Sequence, residues 1–274
     1  MTWALPPLAY LLSCVLLWQG LRRDIGPERE RWLVGGQWLG LAASVAHLLL
    51  LGQQATSARG IDLHFFAALS AVAGFVALFS AVLALRRAPF AALGLVIYPL
   101  ASACLLGYAL RGPGHVSVAA PTWQIQLHAA LALLAYATLS VAALIALMLW
   151  LQERALRRRQ LTTAQHVFPP LTLLESLLFR VIAGGFALLT LALLSGVVFV
   201  ENLFAQHLWH KTVLSLLAWG VFGALLLGRW RYGWRGRRAV RLTLTAMALL
   251  ALAFFGSKFV LELVLSRNAT TVAG

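Results

Sequence analysis

Three histidines are the side chains of this sequence best suited to chemistry. His128 stands near the head of a long apolar run, where an imidazole either hydrogen-bonds a neighbouring helix or ligates a metal ion through its free nitrogen. His207 and His210 are three residues apart, so they share one face if the segment is helical. The alternative for this pair is an interfacial loop in which Trp209 belongs to an aromatic belt. All three histidines are therefore candidate ligands.

Two further pairs place charge or sulfur in apolar surroundings. Lys258 and Glu262 are four residues apart in the last apolar run, so they form an ion pair facing the bundle or guide an anionic ligand. A lysine near a helix end can also extend its charge toward the interface. Cys14 and Cys104 lie in apolar segments without the CxxC spacing of a dithiol centre, so we expect two packed thiols.

Membrane helices must position these side chains, because the composition is that of a membrane protein. The 274 residues are 61% hydrophobic and 11% charged, and the apolar residues come in long blocks. A bilayer core of about 30 Å requires roughly 20 helical residues, a length that several blocks reach. A membrane β-barrel would show short alternating segments instead. We therefore predict an all-α fold, a polytopic membrane helix bundle that forms a single integral domain over residues 1–274.

About eight transmembrane helices follow from the apolar runs and their interruptions. Their expected bounds are Trp3–Gln19, Val34–Leu51, Leu63–Leu85, Phe90–Leu110, Trp123–Leu151, Leu178–Val200, Thr212–Gly228 and Leu242–Leu263. The first run lacks the basic leader and the cleavage site of a secretory signal, so we expect it to remain as a helix. Residues 168–178 contain two prolines and a leucine-rich face, which predicts either a short helix on the membrane surface or the plain start of the sixth span.

The positive charge predicts the orientation of the chain. Its formal net charge is +14, and 17 of its 22 Lys and Arg residues lie in the first, third, fifth and seventh connections. Basic loops stay in the cytoplasm, so both termini are predicted to be non-cytoplasmic. Such clusters beside spans favour anionic lipid over nucleic acid as the partner. His166 is then cytoplasmic, and six histidines lie in outer loops or at outer helix ends, namely His47, His64, His115, His128, His207 and His210.

Several long stretches resemble a known family. Residues 174–190 and 196–199 are similar to the cytochrome c assembly family of CcsA type. Residues 210–229, 233–238 and 255–262 resemble one branch of that family, an inner membrane protein. The resemblance covers nearly the whole chain. It implies a multi-pass protein of the bacterial inner membrane that takes part in cytochrome c-type biogenesis and binds or presents haem at the outer face.

The resemblance also implies roles for individual residues. The first outer histidine of the family falls on His128, which implies that this imidazole ligates haem iron. Iron prefers an imidazole whose other nitrogen is hydrogen-bonded, so a carbonyl or hydroxyl partner is expected beside His128. The tryptophan-rich outer signature of the family is largely missing, because residues 204–212 hold one tryptophan, Trp209. The second outer histidine is missing after the last span, so His207 or His210 is the candidate substitute.

The leading hypothesis is a haem-handling, cytochrome c assembly-like membrane protein whose partners are haem, membrane lipids and other membrane or assembly proteins. No catalytic residue is predicted. One alternative is a regulatory or scaffold subunit that has lost the haem site and supports a membrane partner such as a transporter. The other is a haem-containing membrane redox protein, for which analogy of fold is the only support.

Overall fold

The computed structural model describes residues 2–23, 25–57, 65–111, 122–157, 170–199 and 209–256. This part of the chain holds eight α-helices and no strand, so the all-α prediction is confirmed. A 3-10 turn precedes α1 and another precedes α4, and a π-helical segment follows α8. The helices are α1 (Leu5–Arg22), α2 (Pro27–Ser57), α3 (Phe65–Arg86), α4 (Gly94–Arg111), α5 (Trp123–Arg157), α6 (Leu171–Phe199), α7 (Trp209–Tyr232) and α8 (Gly236–Ala251).

Six helices, α2 to α7, are long and apolar enough to cross a membrane, which confirms a polytopic membrane bundle. The two terminal helices, α1 with 18 residues and α8 with 16, are not among these six. The roles of α1 and α8 as the first and last spans, and the orientation of the termini, stay predictions.

Charged residues extend α2 beyond its apolar run. The helix begins at Pro27 rather than at Val34 and continues to Ser57. Proline suits a first helical turn because its missing N–H would be unsatisfied there anyway. Glu28 and Glu30 lie in the first turn, where the helix dipole stabilises negative charge. The apolar run therefore marks only the middle of this helix.

The bounds of α6 show whether residues 168–178 form a surface helix or the start of the sixth span. The helix begins at Leu171, directly after Pro170, and continues without interruption to Phe199. The backbone N–H groups of Leu173 and Leu174 both donate to the Pro170 carbonyl, at 3.0 and 3.1 Å. The described part of this segment is therefore the start of the sixth span, and it does not form a separate surface helix.

The helices group into two compact units. The first contains α1, α2, nearly all of α3, α4, residues 148–157 of α5 and residues 171–176 of α6. The second contains residues 123–147 of α5 and 177–199 of α6 together with α7 and α8. The single integral domain over residues 1–274 stays a prediction.

Reciprocal glycine contacts bring α1 and α2 together in the first unit. A Cβ atom on Gly20 would lie 2.8 Å from Leu33 Cδ2, and one on Gly36 would lie 2.9 Å from Leu17 Cδ2. Ser13 Oγ donates to the Gly36 carbonyl at 2.7 Å, so a hydrogen bond joins the same pair of helices. Small residues at such positions allow close backbone approach in membrane helices.

Chemical labelling tests the predicted orientation. In a variant without Cys14 and Cys104, a cysteine in place of Arg111 is expected to react with an impermeant maleimide on intact spheroplasts, because α4 is predicted to end at the outer face. Arg157→Cys, at the end of α5, is the matched position and is expected to react only after the membrane is opened. Both residues are exposed at helix ends. The reverse pattern would overturn the orientation.

Candidate functional site

His128 lies in the second turn of α5 and is hydrogen-bonded to α6. Its Nδ1 lies 3.0 Å from the carbonyl oxygen of Ala192 and 3.0 Å from Oγ of Ser195. A carbonyl oxygen only accepts, so Nδ1 carries the proton and donates it. Ser195 Oγ donates its own hydrogen to the Ala192 carbonyl at 2.8 Å, so it accepts from the imidazole. The remaining nitrogen, Nε2, therefore keeps its lone pair for a ligand.

Two glycines of α6 let α5 approach closely on the face that carries His128. A Cβ atom on Gly196 would lie 3.1 Å from Cε1 of His128, and one on Gly185 would lie 2.6 Å from Cδ2 of Leu139. The two contacts are about three helical turns apart on each helix, so α5 and α6 run antiparallel over that length. The half-buried imidazole is thus held against the backbone of α6.

A buried amide oxygen lies one turn before His128 on the same face of α5. Oε1 of Gln124 is buried and has no hydrogen-bond partner in the described part of the chain. A buried polar group without a partner costs about 1–3 kcal/mol. Nearby, the rings of Trp123 and Phe199 pack edge to face, 5.8 Å apart, at the ends of α5 and α6. A donor group from a bound molecule would satisfy Gln124 at this position.

Of the other two candidate ligands, the structure describes only His210. His210 is the second residue of α7, is exposed, and has its ring 4.3 Å from that of Trp209. None of its interactions involves His128 among the residues described. His207 lies outside the described residues. The same holds for five other side chains considered above, which are His64, His115, His166, Lys258 and Glu262.

His47 forms a separate buried polar cluster that was not predicted. It lies well inside α2, because the helix continues to Ser57, and it is fully buried. Its Nε2 lies 2.9 Å from Ser70 Oγ on α3, and its Nδ1 lies 3.3 Å from the Tyr10 hydroxyl on α1. Both ring nitrogens are engaged, so His47 has no free lone pair for a metal ion. Its role is to join three helices of the first unit.

Sulfur and carboxylate groups do not add a metal site to the part of the chain that is described. Cys14 and Cys104 are free thiols, both partly buried, and Cys14 Sγ lies 3.9 Å from the Leu95 carbonyl. No three His, Cys, Asp or Glu side chains come together there in a way that could hold a metal ion. Haem iron, by contrast, takes no more than two axial ligands from the protein.

Comparison with known proteins places the chain in a family. The family described as cytochrome C assembly protein matches residues 37–265. Inner membrane protein YpjD of Escherichia coli strain K12 is 41% identical over 137 residues, which are 50% of this chain and 52% of that protein. An uncharacterized 28.8 kDa protein of Azospirillum brasilense is 36% identical over 198 residues, 71% of this chain and 73% of the relative.

More distant relatives carry a functional name. Cytochrome c biogenesis protein CcsA of Synechococcus sp. strain CC9902 is 26% identical over 189 residues, 58% of this chain and 62% of the relative. The chain spans about half the length of the YpjD proteins it matches. No solved structure matches the chain. The family resemblance, the similarity to YpjD and the multi-pass inner-membrane location are thereby confirmed.

Proposed function

Because the chain belongs to the cytochrome c assembly protein family, we propose that it handles haem at the outer face of the inner membrane, with His128 as a ligand of the iron. The observation that carries the proposal is the hydrogen bonding of the imidazole. Nδ1 donates to the Ala192 carbonyl and to Ser195 Oγ, which leaves Nε2 free. Histidines that bind metals usually donate their other N–H in this way, which fixes the ring and raises its basicity.

The surroundings of His128 fit a porphyrin that is held through iron. Bound haem supplies an iron centre whose redox poise depends on the axial ligand and on the dryness of the site. The chain contributes a neutral imidazole that is fixed against α6. Trp123, which is 65% exposed, offers an aromatic surface at the same end of α5.

A second histidine that would hold the haem is proposed to come from the beginning of α7 or the residues before it. His210 is exposed there, so its ring is available to a bound molecule. His207, three residues earlier, is the other candidate. Either one would replace the second outer histidine of the family, which this sequence lacks.

The place of the protein in cytochrome c-type biogenesis is part of the same proposal. Relatives named cytochrome c biogenesis protein CcsA share the family. Haem held at the outer face would be passed to other membrane or assembly proteins rather than kept as a permanent group. The proposal assigns no catalytic residue to the chain.

The absorption spectrum of the purified protein tests the proposal. The full chain, purified in mild detergent and supplied with haem, is expected to show a Soret band that titrates to one haem per chain. Absence of the band after supplementation would contradict haem handling and support the scaffold alternative. Reduction of the bound haem by a quinol at a rate that supports turnover would favour the redox alternative instead.

Ser195→Ala tests whether the hydrogen bond from His128 to Ser195 strengthens haem binding. The substitution removes one of two acceptors for Nδ1 but leaves the Ala192 carbonyl, so haem affinity is expected to fall by about 10-fold. Ser176→Ala is the matched control, because Ser176 Oγ donates to the Leu173 carbonyl within α6 and makes no contact with His128. Haem titration measures both variants. An equal loss in both, or no loss in either, would show that Ser195 does not support a ligand.

A further inference from the structure

Six arginines meet where α7 ends and α8 begins. The chain carries no Asp or Glu between Glu201 and Glu262, so this cluster has no acidic residue near it in sequence. None of the six forms an ion pair within the described part of the chain. All except the first are exposed. The six are Arg229, Arg231, Arg235, Arg237, Arg238 and Arg241. Like charges held this close repel one another and attract an anion from outside the chain.

The backbone between the two helices has a fixed shape. Gly233 and Gly236 have φ values of 64° and 54°, in the left-handed region that favours glycine. The N–H of Gly233 donates to the Arg229 carbonyl at 3.1 Å, and that of Trp234 donates to the Gly228 carbonyl at 3.2 Å. These bonds satisfy carbonyls at the end of α7, as in a helix cap closed by a left-handed residue.

Trp234 holds two of the arginines within this turn. Its ring covers Gly228, where a Cβ atom would clash with the indole. The Arg238 guanidinium lies 5.1 Å from the centre of the Trp234 ring. Arg229 Nη1 donates to the Trp234 carbonyl at 3.3 Å, and its guanidinium lies 4.7 Å from the Phe179 ring of α6. Stacking on an aromatic ring leaves the N–H edge of a guanidinium open to an anion.

We propose that residues 228–241, which we call the arginine turn, bind the phosphodiester headgroup of an anionic phospholipid. α7 is a membrane-spanning helix that ends at Tyr232, so the turn lies at the level of the lipid headgroups. Trp230 and Tyr232 are 84% and 72% exposed, as expected for aromatic residues at the membrane surface. The guanidinium fork matches the oxygens of a phosphate.

The first connection shows how a basic loop is neutralised within the chain. Arg23 forms an ion pair with Glu28 at 2.6 Å and also stacks on Trp32, 4.8 Å from the ring centre. Glu30 adds a second carboxylate to the same helix turn. The arginine turn has a similar density of arginine but no such internal acid. Charge complementarity therefore directs the lipid to the arginine turn and not to the first connection.

Lipid binding to the full chain tests the proposal. Native mass spectrometry in neutral detergent would measure binding of phosphatidylglycerol, cardiolipin and phosphatidylcholine. Joint replacement of Arg235, Arg237 and Arg238 by glutamine is expected to weaken binding of both anionic lipids by about 100-fold at low ionic strength. Joint replacement of Arg22, Arg29 and Arg31 by glutamine removes equal charge from the first connection, and its effect is expected to stay below about threefold.

Two further variants separate a shaped site from net charge. Trp234→Leu keeps every arginine but releases Arg238, and it is expected to weaken binding by about fivefold. Trp18→Leu removes the similar stacking of Arg22, 5.3 Å from that ring centre, and is expected to have no effect. Arg238→Lys keeps the charge but loses the planar guanidinium, so it is also expected to weaken binding by about fivefold, and it serves as the test if Trp234→Leu does not fold.

Four results would overturn the proposal. Equal losses in the two triple variants would show that net charge alone attracts lipid. Phosphatidylcholine that binds as tightly as phosphatidylglycerol would remove the requirement for an anion. Displacement of lipid by millimolar inorganic phosphate would indicate a site for the free anion. Tight RNA binding at physiological salt that depends on the same arginines would indicate a different class of partner.

Discussion

His128→Ala is expected to abolish the Soret band of the haem-supplied protein. The hydrogen bonds to Ala192 and Ser195 use Nδ1 of His128 and leave the lone pair of Nε2 free. Alanine therefore removes the proposed bond to iron. Loss of only a hydrogen-bond partner of a metal ligand typically costs about 10-fold to 100-fold in affinity, so loss of the ligand itself is expected to cost more than about 100-fold. Titration with haem, followed by absorbance, measures the change.

The controls for His128 separate ligation from packing. His128→Gly with added imidazole is expected to recover part of the band, because the free base can occupy the vacated position. Thr138→Val, also on α5, is expected to leave the spectrum unchanged, since its hydroxyl donates only to the Leu134 carbonyl of its own helix. Of His207→Ala and His210→Ala, one is expected to shift the band. An unchanged spectrum in His128→Ala would refute the proposed site.

Alanine at two glycines of α2 is expected to change stability in opposite directions. A Cβ atom on Gly40 would fall against the ring of Tyr98, which is 1% exposed and stacks on Tyr10 with ring centres 5.5 Å apart. The ring cannot move without disturbing that stack, so Gly40→Ala is expected to cost about 1–3 kcal/mol. Gly35 has no atom within 4 Å of its Cβ position, so Gly35→Ala is expected to gain up to about 1 kcal/mol in helix propensity.

Thermal unfolding in detergent compares the two alanine variants directly. Both carry the same chemical change on the same helix, so differences in expression or detergent binding should affect them alike. Gly40→Ala is expected to melt below the parent protein, and Gly35→Ala at or above it. A higher melting temperature for Gly40→Ala than for Gly35→Ala would show that the close contact with Tyr98 does not constrain the first unit.

The apolar runs located the helices because a lipid-facing helix must be apolar along most of its length. α5 begins at Trp123, as predicted. The predicted ends were too early where charge enters a helix. α7 continues past Gly228 to Tyr232, because arginine and the aromatic residues there can remain helical although they lower the hydropathy. Hydropathy therefore locates the part of a helix that lies in the lipid core better than it locates the ends of the helix.

The sequence predicted the type of hydrogen-bond acceptor beside His128 but not which residues supply it. The chemistry of ligand histidines predicted a carbonyl or hydroxyl beside His128, and the structure places Ala192 and Ser195 there. Nothing in the spacing of one helix states which residue of another faces it, so neither partner could be named in advance. Ligation of haem by His128 stays a prediction.

The buried cluster around His47 left a signal in the sequence. Polar or small residues recur every three or four positions along α2, and each of them is buried. That spacing is typical of one face of a helix packed against its neighbours. The stripe consists of Gln37, Gly40, Ser44 and His47. This spacing would have predicted the burial of His47. Its assignment to the outer end of a helix did not.

The reciprocal contacts between α1 and α2 bear on how the protein enters the membrane during synthesis. α1 is not among the helices long and apolar enough to cross a membrane alone, whereas α2 is. Gly20 and Gly36 each receive a leucine of the other helix. We therefore expect α1 to leave the translocon together with α2, as a helical hairpin, after both have been translated. Stable insertion of α1 would then require that α2 is complete.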